Sequence, residues 1–116
     1  MRIMPMTNVP MTRMIPVARV EDIPPGTRFH HDFEEESVIV INIDGEFFCI
    51  ADLCTHDGGP LEDGDVLDHQ IECPRHGARF DIRTGKVTRL PATDPIPTYR
   101  VMVEDGQVFV EEPELW

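Results

Sequence analysis

Two short stretches of the chain each pair a cysteine with a histidine. Cys54 and His56 form a C-x-H motif in CTHDGGPL, and Cys73 and His76 form a C-x2-H motif in CPRHGARF. Thiolate sulfur and imidazole nitrogen are common ligands of transition metals in proteins. Because sixteen residues lie between the second and third of these side chains, the sequence predicts a metal centre that is assembled from two separate loops.

The spacing also indicates which kind of metal centre this is. A structural zinc site usually takes two cysteines from one knuckle and two histidines from a helix, whereas here each motif supplies one cysteine and one histidine. Ligands that are spread along an extended segment suit two bridged ions better than one. In a two-iron, two-sulfide cluster, one iron would take Cys54 and Cys73 and the other His56 and His76, which is the Rieske arrangement. A zinc-stabilised interaction module is the alternative.

The segments around the motifs have the pattern of β-strands. Asp-Gly pairs at 44–45 and 105–106 each separate two β-rich runs, as in a hairpin with a type I′ turn, and Thr-Gly at 84–85 is similar. In residues 78–83, apolar and polar side chains alternate, which predicts a strand with one buried face. The prolines argue against long helices. We therefore predict an all-β, antiparallel fold in which both motifs lie at loop tips.

Length and composition limit the organisation of the chain. Its 116 residues suit one domain, which we place at 14–116 after a disordered extension at 1–13. The third cysteine, Cys49, lies in the apolar run EFFCI and is predicted to be a small buried side chain. No disulfide framework follows, which favours a cytoplasmic location. No apolar run is long enough to span a membrane, and the net charge of −12 argues against nucleic acid or an anionic membrane as a partner.

The two motifs and the following RTGKVTRLPA closely resemble the Rieske-type ferredoxins, especially the small electron carriers of bacterial aromatic-ring-hydroxylating dioxygenase systems. The resemblance extends from about residue 16 to residue 112. It implies stacked antiparallel sheets, a cluster-binding subdomain at about 51–85, and a proline-containing loop over the cluster, for which LPA at 90–92 is the candidate. It also implies one [2Fe-2S] cluster, with the ligands Cys54, His56, Cys73 and His76.

The same resemblance implies the function. The chain is expected to carry one electron at a time from a flavoprotein reductase to a terminal oxygenase, without being an enzyme itself. A general ferredoxin, one associated with iron–sulfur assembly, and the small subunit of nitrite reductase are the alternatives. A catalytic oxygenase would need a second iron, held by two histidines and a carboxylate. His30, His31 and Asp32 do not fit, because neighbouring residues on a strand point to opposite faces, and His69 is expected at the surface.

Departures from the related respiratory proteins are informative. Those proteins have an additional cysteine in each loop, and the two cysteines form a disulfide. The matching positions here are Gly59 and Arg75, so no such disulfide is expected. They also direct two hydroxyl groups at the cluster, from positions that match Ala78 and Phe80. Because neither side chain can donate a hydrogen bond to the reduced cluster, we expect a reduction potential on the order of −150 mV.

One acidic run follows the first motif and could dock a basic partner, although a solvated loop explains it equally well. Its members are Asp57, Glu62, Asp63, Asp65 and Asp68.

Overall fold

The computed structural model describes residues 13–113. In this part of the chain, eleven β-strands and a single 3-10 turn at Val20–Asp22 form the regular structure. Almost all of the segment predicted to be a disordered extension, and the last three residues of the chain, lie outside the described residues. The strands are β1 (Met14–Arg19), β2 (Arg28–Asp32), β3 (Ser37–Ile43), β4 (Glu46–Ala51), β5 (Val66–Leu67), β6 (Gln70–Glu72), β7 (Arg79–Asp81), β8 (Val87–Arg89), β9 (Thr98–Tyr99), β10 (Val101–Glu104) and β11 (Gln107–Glu111).

The strands form three antiparallel sheets. The first sheet has the order β1-β11-β10, the second has β2-β3-β4-β9, and the third has β5-β6-β7-β8. The predicted all-β class is confirmed. We call the first two sheets the base and the third sheet with its loops the cluster-side sheet.

The two Asp-Gly turns have the predicted geometry. In both the β3–β4 and the β10–β11 hairpins, Asp and Gly adopt positive φ, at 56° and 94° in the first turn and at 53° and 77° in the second. Positive φ at both central positions is the mark of a type I′ turn, which matches the twist of the flanking strands. The connection that contains Thr84 is longer, because β7 ends at Asp81 and β8 begins at Val87.

Strand β3 explains how the sheets are layered. Its residues Val38, Ile39, Val40 and Ile41 are all buried, so the strand is apolar on both faces. Ile39 and Ile41 pack in one hydrophobic core with the cluster-side sheet, whereas Val38 and Val40 pack in a second core with side chains of the first sheet. The second sheet is therefore the middle layer, and it supports the two predicted ligand loops from below.

Candidate metal centre

The two cysteine–histidine motifs fold into loops of the same design. Residues 54–59 are called ligand loop 1 and residues 73–78 ligand loop 2. In each loop, the cysteine N–H donates to the carbonyl five residues later, and the glycine four residues later donates its N–H to the cysteine carbonyl, with N···O distances of 2.7–3.0 Å. Those glycines, Gly58 and Gly77, have φ of 77° and 78°, a conformation that costs a residue with a Cβ about 1 kcal/mol or more.

The three glycines of the ligand loops differ in the space around them. A Cβ atom at Gly58 or Gly77 would meet nothing within 4 Å, so these residues provide backbone conformation rather than free space. At Gly59, by contrast, a Cβ atom would lie 2.6 Å from Cζ of Arg75. The guanidinium group occupies the space that a side chain at this position would need.

The two thiols lie together in the core. Cys54 and Cys73 are 0% and 1% exposed, and their sulfur atoms lie within 4.8 Å of each other and of a carboxylate oxygen of Asp57. Burial raises the pKa of the Cys54 thiol, although the backbone N–H groups of Asp57 and His56 donate to its sulfur and oppose this shift. A metal ion deprotonates a coordinating thiol outright, so a bound metal centre would offset the desolvation of the thiolate.

The two imidazoles lie together at the surface. The ring centroids of His56 and His76 are 5.1 Å apart, with an interplanar angle of 89°. Both residues are exposed. A buried pair of thiols beneath an exposed pair of imidazoles fits the predicted two-iron cluster, in which one iron takes sulfur ligands and the other takes nitrogen ligands.

An ion pair joins the two ligand loops. Nε of Arg75 donates to Oδ2 of Asp57 at 2.6 Å, and Nη2 donates to Oδ1 at 3.1 Å. The hydrogen bonds from Arg75 and from the backbone N–H of Gly59 hold the pKa of the Asp57 carboxyl far below its usual range. No disulfide connects the loops, as expected, because all three cysteines are free. The sequence patterns did not predict the ion pair between Asp57 and Arg75 that links the loops.

The segment after β4 is anchored by a buried carboxylate. The side chain of Asp52 is 3% exposed, and its Oδ1 accepts hydrogen bonds from the N–H groups of Leu61 and Glu62 at 2.6 and 3.0 Å. On the other side, Nδ1 of His30 lies 3.0 Å from Oδ2 of Asp52 and 2.8 Å from Oε1 of Glu62. His30 thus connects strand β2 to the residues that flank ligand loop 1 on both sides.

Two further hydrogen-bonding side chains hold the segments around the loops. Arg28 donates from Nη1 to the carbonyls of Glu62 and Gly64 at 2.6 and 2.7 Å. Thr55, between two predicted ligands, donates from Oγ1 to the carbonyl of Asp94 at 2.6 Å. The proline-containing segment that follows β8 therefore lies beside ligand loop 1. Its Leu90-Pro91 peptide bond is cis.

The remaining candidates are Cys49, which lies where the sequence placed it, and His69, which is less exposed than expected. Cys49 is 2% exposed in the core of the base, as predicted. His69 is only partly exposed, because its ring packs edge-on against Phe48 with centroids 5.8 Å apart. Ala78 and Phe80 are fully buried in the same core as the two thiols, and neither side chain carries a hydrogen-bond donor.

Most of the acidic run after the first motif already has a partner within the chain. Asp57 pairs with Arg75, Glu62 pairs with His30, and Asp68 lies 3.2 Å from Nδ1 of His69. These contacts favour a structural role for those three acidic side chains over a role in docking. Among the residues that the structure describes, no helix is long and apolar enough to cross a membrane.

Comparison with known proteins shows which family and which proteins the whole chain is similar to. The family described as "Rieske [2Fe-2S] domain" matches residues 13–100. The chain is 41% identical over 96 residues to the 3-phenylpropionate/cinnamic acid dioxygenase ferredoxin subunit of Escherichia coli K12, a match that covers 82% of this chain and 90% of that protein.

Two solved structures have the same fold. The ferredoxin of carbazole 1,9a-dioxygenase from Nocardioides aromaticivorans IC177 matches with a TM-score of 0.80 and 31% identity, over 86% of this chain and 98% of that chain. A chain in the complex of reduced oxygenase and oxidized ferredoxin in carbazole 1,9a-dioxygenase matches with a TM-score of 0.81 and 30% identity, over 89% of this chain and 97% of that chain.

Proposed function

The chain belongs to the Rieske [2Fe-2S] domain family, and on this premise we propose that it carries single electrons from a flavoprotein reductase to a terminal oxygenase. The observation that carries the proposal is the arrangement of the site, with two buried thiols beneath two exposed imidazoles. The similarity to a dioxygenase ferredoxin subunit, and to a ferredoxin in complex with an oxygenase, supports the choice of partners.

We propose Cys54, His56, Cys73 and His76 as the ligands of the cluster. When bound, a Rieske cluster accepts and releases one electron. The protein would hold the cysteine side in the dry core and present the histidine side to solvent. A partner that contacts the two imidazoles would come within short range for electron transfer, without any opening of the fold.

The rest of the site favours a carrier over an enzyme. All four proposed ligands come from the protein, so no open position is left for a substrate at iron. His30, the one spare histidine that contacts several carboxylates, is already bonded to Asp32, Asp52 and Glu62 at 2.7–3.0 Å. We therefore propose that the chain has no catalytic activity of its own. We also propose a single domain at 14–116 and, from the three free thiols, a cytoplasmic location.

The test begins with the purified protein. We expect two irons and two sulfides per chain, and a rhombic EPR signal of low average g after reduction with dithionite. A colourless protein that contains zinc and no sulfide would contradict the cluster assignment. With the cluster established, stopped-flow mixing of the reduced protein with an oxidised aromatic-ring dioxygenase should show reoxidation, and substrate turnover by the oxygenase should require the protein. A reduced protein that the oxygenase never reoxidises would contradict the proposed partner.

A further inference from the structure

The equivalent design of the ligand loops places a second pair of residues in register with the histidines. Two and three positions after the cysteine, ligand loop 1 has His56 and Asp57, whereas ligand loop 2 has Arg75 and His76. Each loop thus offers one imidazole and one charged side chain, in opposite order. Once the histidines are assigned as ligands, a carboxylate and a guanidinium remain, one on each loop.

These two charged side chains meet in a well-defined geometry. Arg75 binds both carboxylate oxygens of Asp57, at 2.6 and 3.1 Å, which is the bidentate fork that arginine forms and lysine cannot. The guanidinium also lies against Gly59, where a Cβ atom would be 2.6 Å from Cζ. The Asp57 side chain is only 18% exposed and that of Arg75 is 34% exposed, so water screens the pair incompletely.

The pair also lies close to the proposed ligands. A carboxylate oxygen of Asp57 is within 4.8 Å of the sulfur atoms of Cys54 and Cys73, and its Oδ2 is 3.4 Å from Nδ1 of His76. Arg75 is near enough to both thiols for its positive charge to interact with them. A change in the charge of the proposed metal centre would therefore change its electrostatic interaction with both Asp57 and Arg75.

We propose that Asp57 and Arg75 are positioning residues that form an ionic clamp across the two ligand loops, and that their opposite charges shift the reduction potential in opposite directions. This inference rests on the ligand set given under the proposed function. The clamp holds the loops at the separation that the cluster requires. Because reduction adds one negative charge, the guanidinium favours the reduced state and the carboxylate disfavours it.

Four variants distinguish the effect of breaking the contact between Asp57 and Arg75 from the effect of removing either charge. Arg75→Gln breaks the clamp and removes the cation, Asp57→Asn breaks it and removes the anion, and the double variant breaks it with little net change in charge. Arg75→Lys keeps the charge but loses the fork. The measurements are the rate at which the visible absorbance of the cluster is lost in the presence of a chelator, and the midpoint potential by voltammetry.

We expect cluster loss to be faster on the order of tenfold in the two single neutral variants and in the double variant, as is common when a residue that orients a metal ligand is removed. The midpoint potential should fall in Arg75→Gln, rise in Asp57→Asn, and return close to the wild-type value in the double variant. Arg75→Lys should lose the cluster faster than wild type while keeping nearly the wild-type potential.

Arg83→Gln is the matched control, because it removes an arginine from a second ion pair, with Asp81 at 3.3 Å, next to the cluster-side sheet. It should keep the wild-type rate of cluster loss and shift the potential less than Arg75→Gln does. If the clamp had a purely structural role, the midpoint potentials of Arg75→Gln and Asp57→Asn would shift in the same direction. That result would overturn the assignment of opposite charge effects. Wild-type rates of cluster loss in all four variants would overturn the clamp.

The outcomes distinguish this inference from the proposed function. A wild-type protein without iron and sulfide would overturn the proposed function and the clamp with it. A wild-type protein with a normal cluster, whose variants match it in rate and potential, would overturn the clamp alone.

Discussion

The two hydrophobic cores of this protein differ in what holds them together. The fully buried side chains in the core of the base are apolar apart from the Cys49 thiol, for which burial raises the pKa far above its ordinary value. It is closed by strands of up to seven residues in ladders that need no ligand. The core beneath the ligand loops includes the thiols of Cys54 and Cys73, and its own sheet has strands of only two or three residues.

The difference between the two cores indicates which part of the fold needs the bound cluster to keep its structure. Strands of two or three residues form few ladder hydrogen bonds of their own, so side-chain hydrogen bonds and ion pairs add to them. Asp52, Arg28 and Thr55 anchor the chain around ligand loop 1, and Arg75 joins that loop to the other. The base should therefore fold and persist without metal, whereas the loops should keep their arrangement only with the cluster bound.

The largest expected effect comes from removing a thiol. Cys54→Ser or Cys73→Ser should abolish the visible spectrum of the cluster, because a hydroxyl is a poor substitute for a soft thiolate ligand of iron. The base should remain folded, as judged by amide exchange protection in β3 and β4. Cys49→Ala is the matched control, since it removes a buried thiol from the other core. If Cys49→Ala also lost the cluster, the separation of the two cores would be wrong.

The second largest effect should come from truncating one large apolar side chain in each core. Phe80→Ala in the core beneath the ligand loops should lower the free energy of unfolding by about 3–5 kcal/mol, and Ile23→Ala in the base by about 2–5 kcal/mol. Both side chains are fully buried. Only the first change should also accelerate cluster loss, measured as the decay of visible absorbance. Equal acceleration in both variants would show that the cores are energetically coupled.

A hydroxyl beside the thiols should raise the reduction potential from its expected low value, on the order of −150 mV. Ala78→Ser adds a donor in the core that contains both thiols. A hydrogen bond to a charged group contributes about 1.5–3 kcal/mol, and 1.4 kcal/mol corresponds to about 59 mV for one electron. We therefore expect a rise of about 60–130 mV by voltammetry. Ala51→Ser, at another buried alanine, should leave the potential unchanged.

The smallest effect should come from His30 and should depend on pH. Burial lowers the pKa of His30, but its hydrogen bond to Asp32 and the charges of Glu62, Asp32 and Asp52 outweigh this and raise the pKa above its ordinary value. The charged form is thus favoured in the folded protein. Its contribution to stability is complete below the unfolded pKa of about 6.5 and is lost as the pH rises through the higher folded pKa.

Urea denaturation at pH 6 and at pH 9 tests this expectation. The wild-type protein should lose more stability between the two pH values than His30→Gln does. His31→Gln is the matched control, because His31 lies next to His30 on β2 and its ring contacts Phe33 rather than a carboxylate. If His30→Gln lost as much stability between pH 6 and pH 9 as the wild-type protein, the ion pairs of His30 with Asp52 and Glu62 would not be the source of the pH dependence.

Most of the fold followed from short-range patterns. The Asp-Gly pairs predicted two hairpins, since only a few residue types tolerate positive φ at both turn positions, and both turns have that geometry. The alternation around Phe80 predicted a strand with one buried face, and Ala78, Phe80 and Ile82 are buried. The strand itself covers only Arg79–Asp81, because side-chain alternation continues past the last ladder pairing and does not mark where the strand ends.

The sequence was less informative about what surrounds the ligands. The alignment of CTHDGG with CPRHGA already placed Asp57 opposite His76 and Arg75 opposite His56, but no short-range rule states that the two remaining charges meet. Likewise, the sequence pattern showed only that His30, His31 and Asp32 do not fit an iron site. The contacts of His30 with Asp52 and Glu62 join segments distant in the chain, and only the packing of β2 beside the residues that flank ligand loop 1 creates them.

By itself, the sequence determined the residue types and spacing of the proposed metal centre, the all-β class and the two type I′ turns, because side-chain chemistry and local backbone sterics act over a few residues. The tertiary structure alone decided that both faces of β3 are buried, that thiols lie below and imidazoles above, and that Asp57 and Arg75 join the loops. Such contacts depend on where loop closure and core packing bring remote segments, which no local pattern encodes.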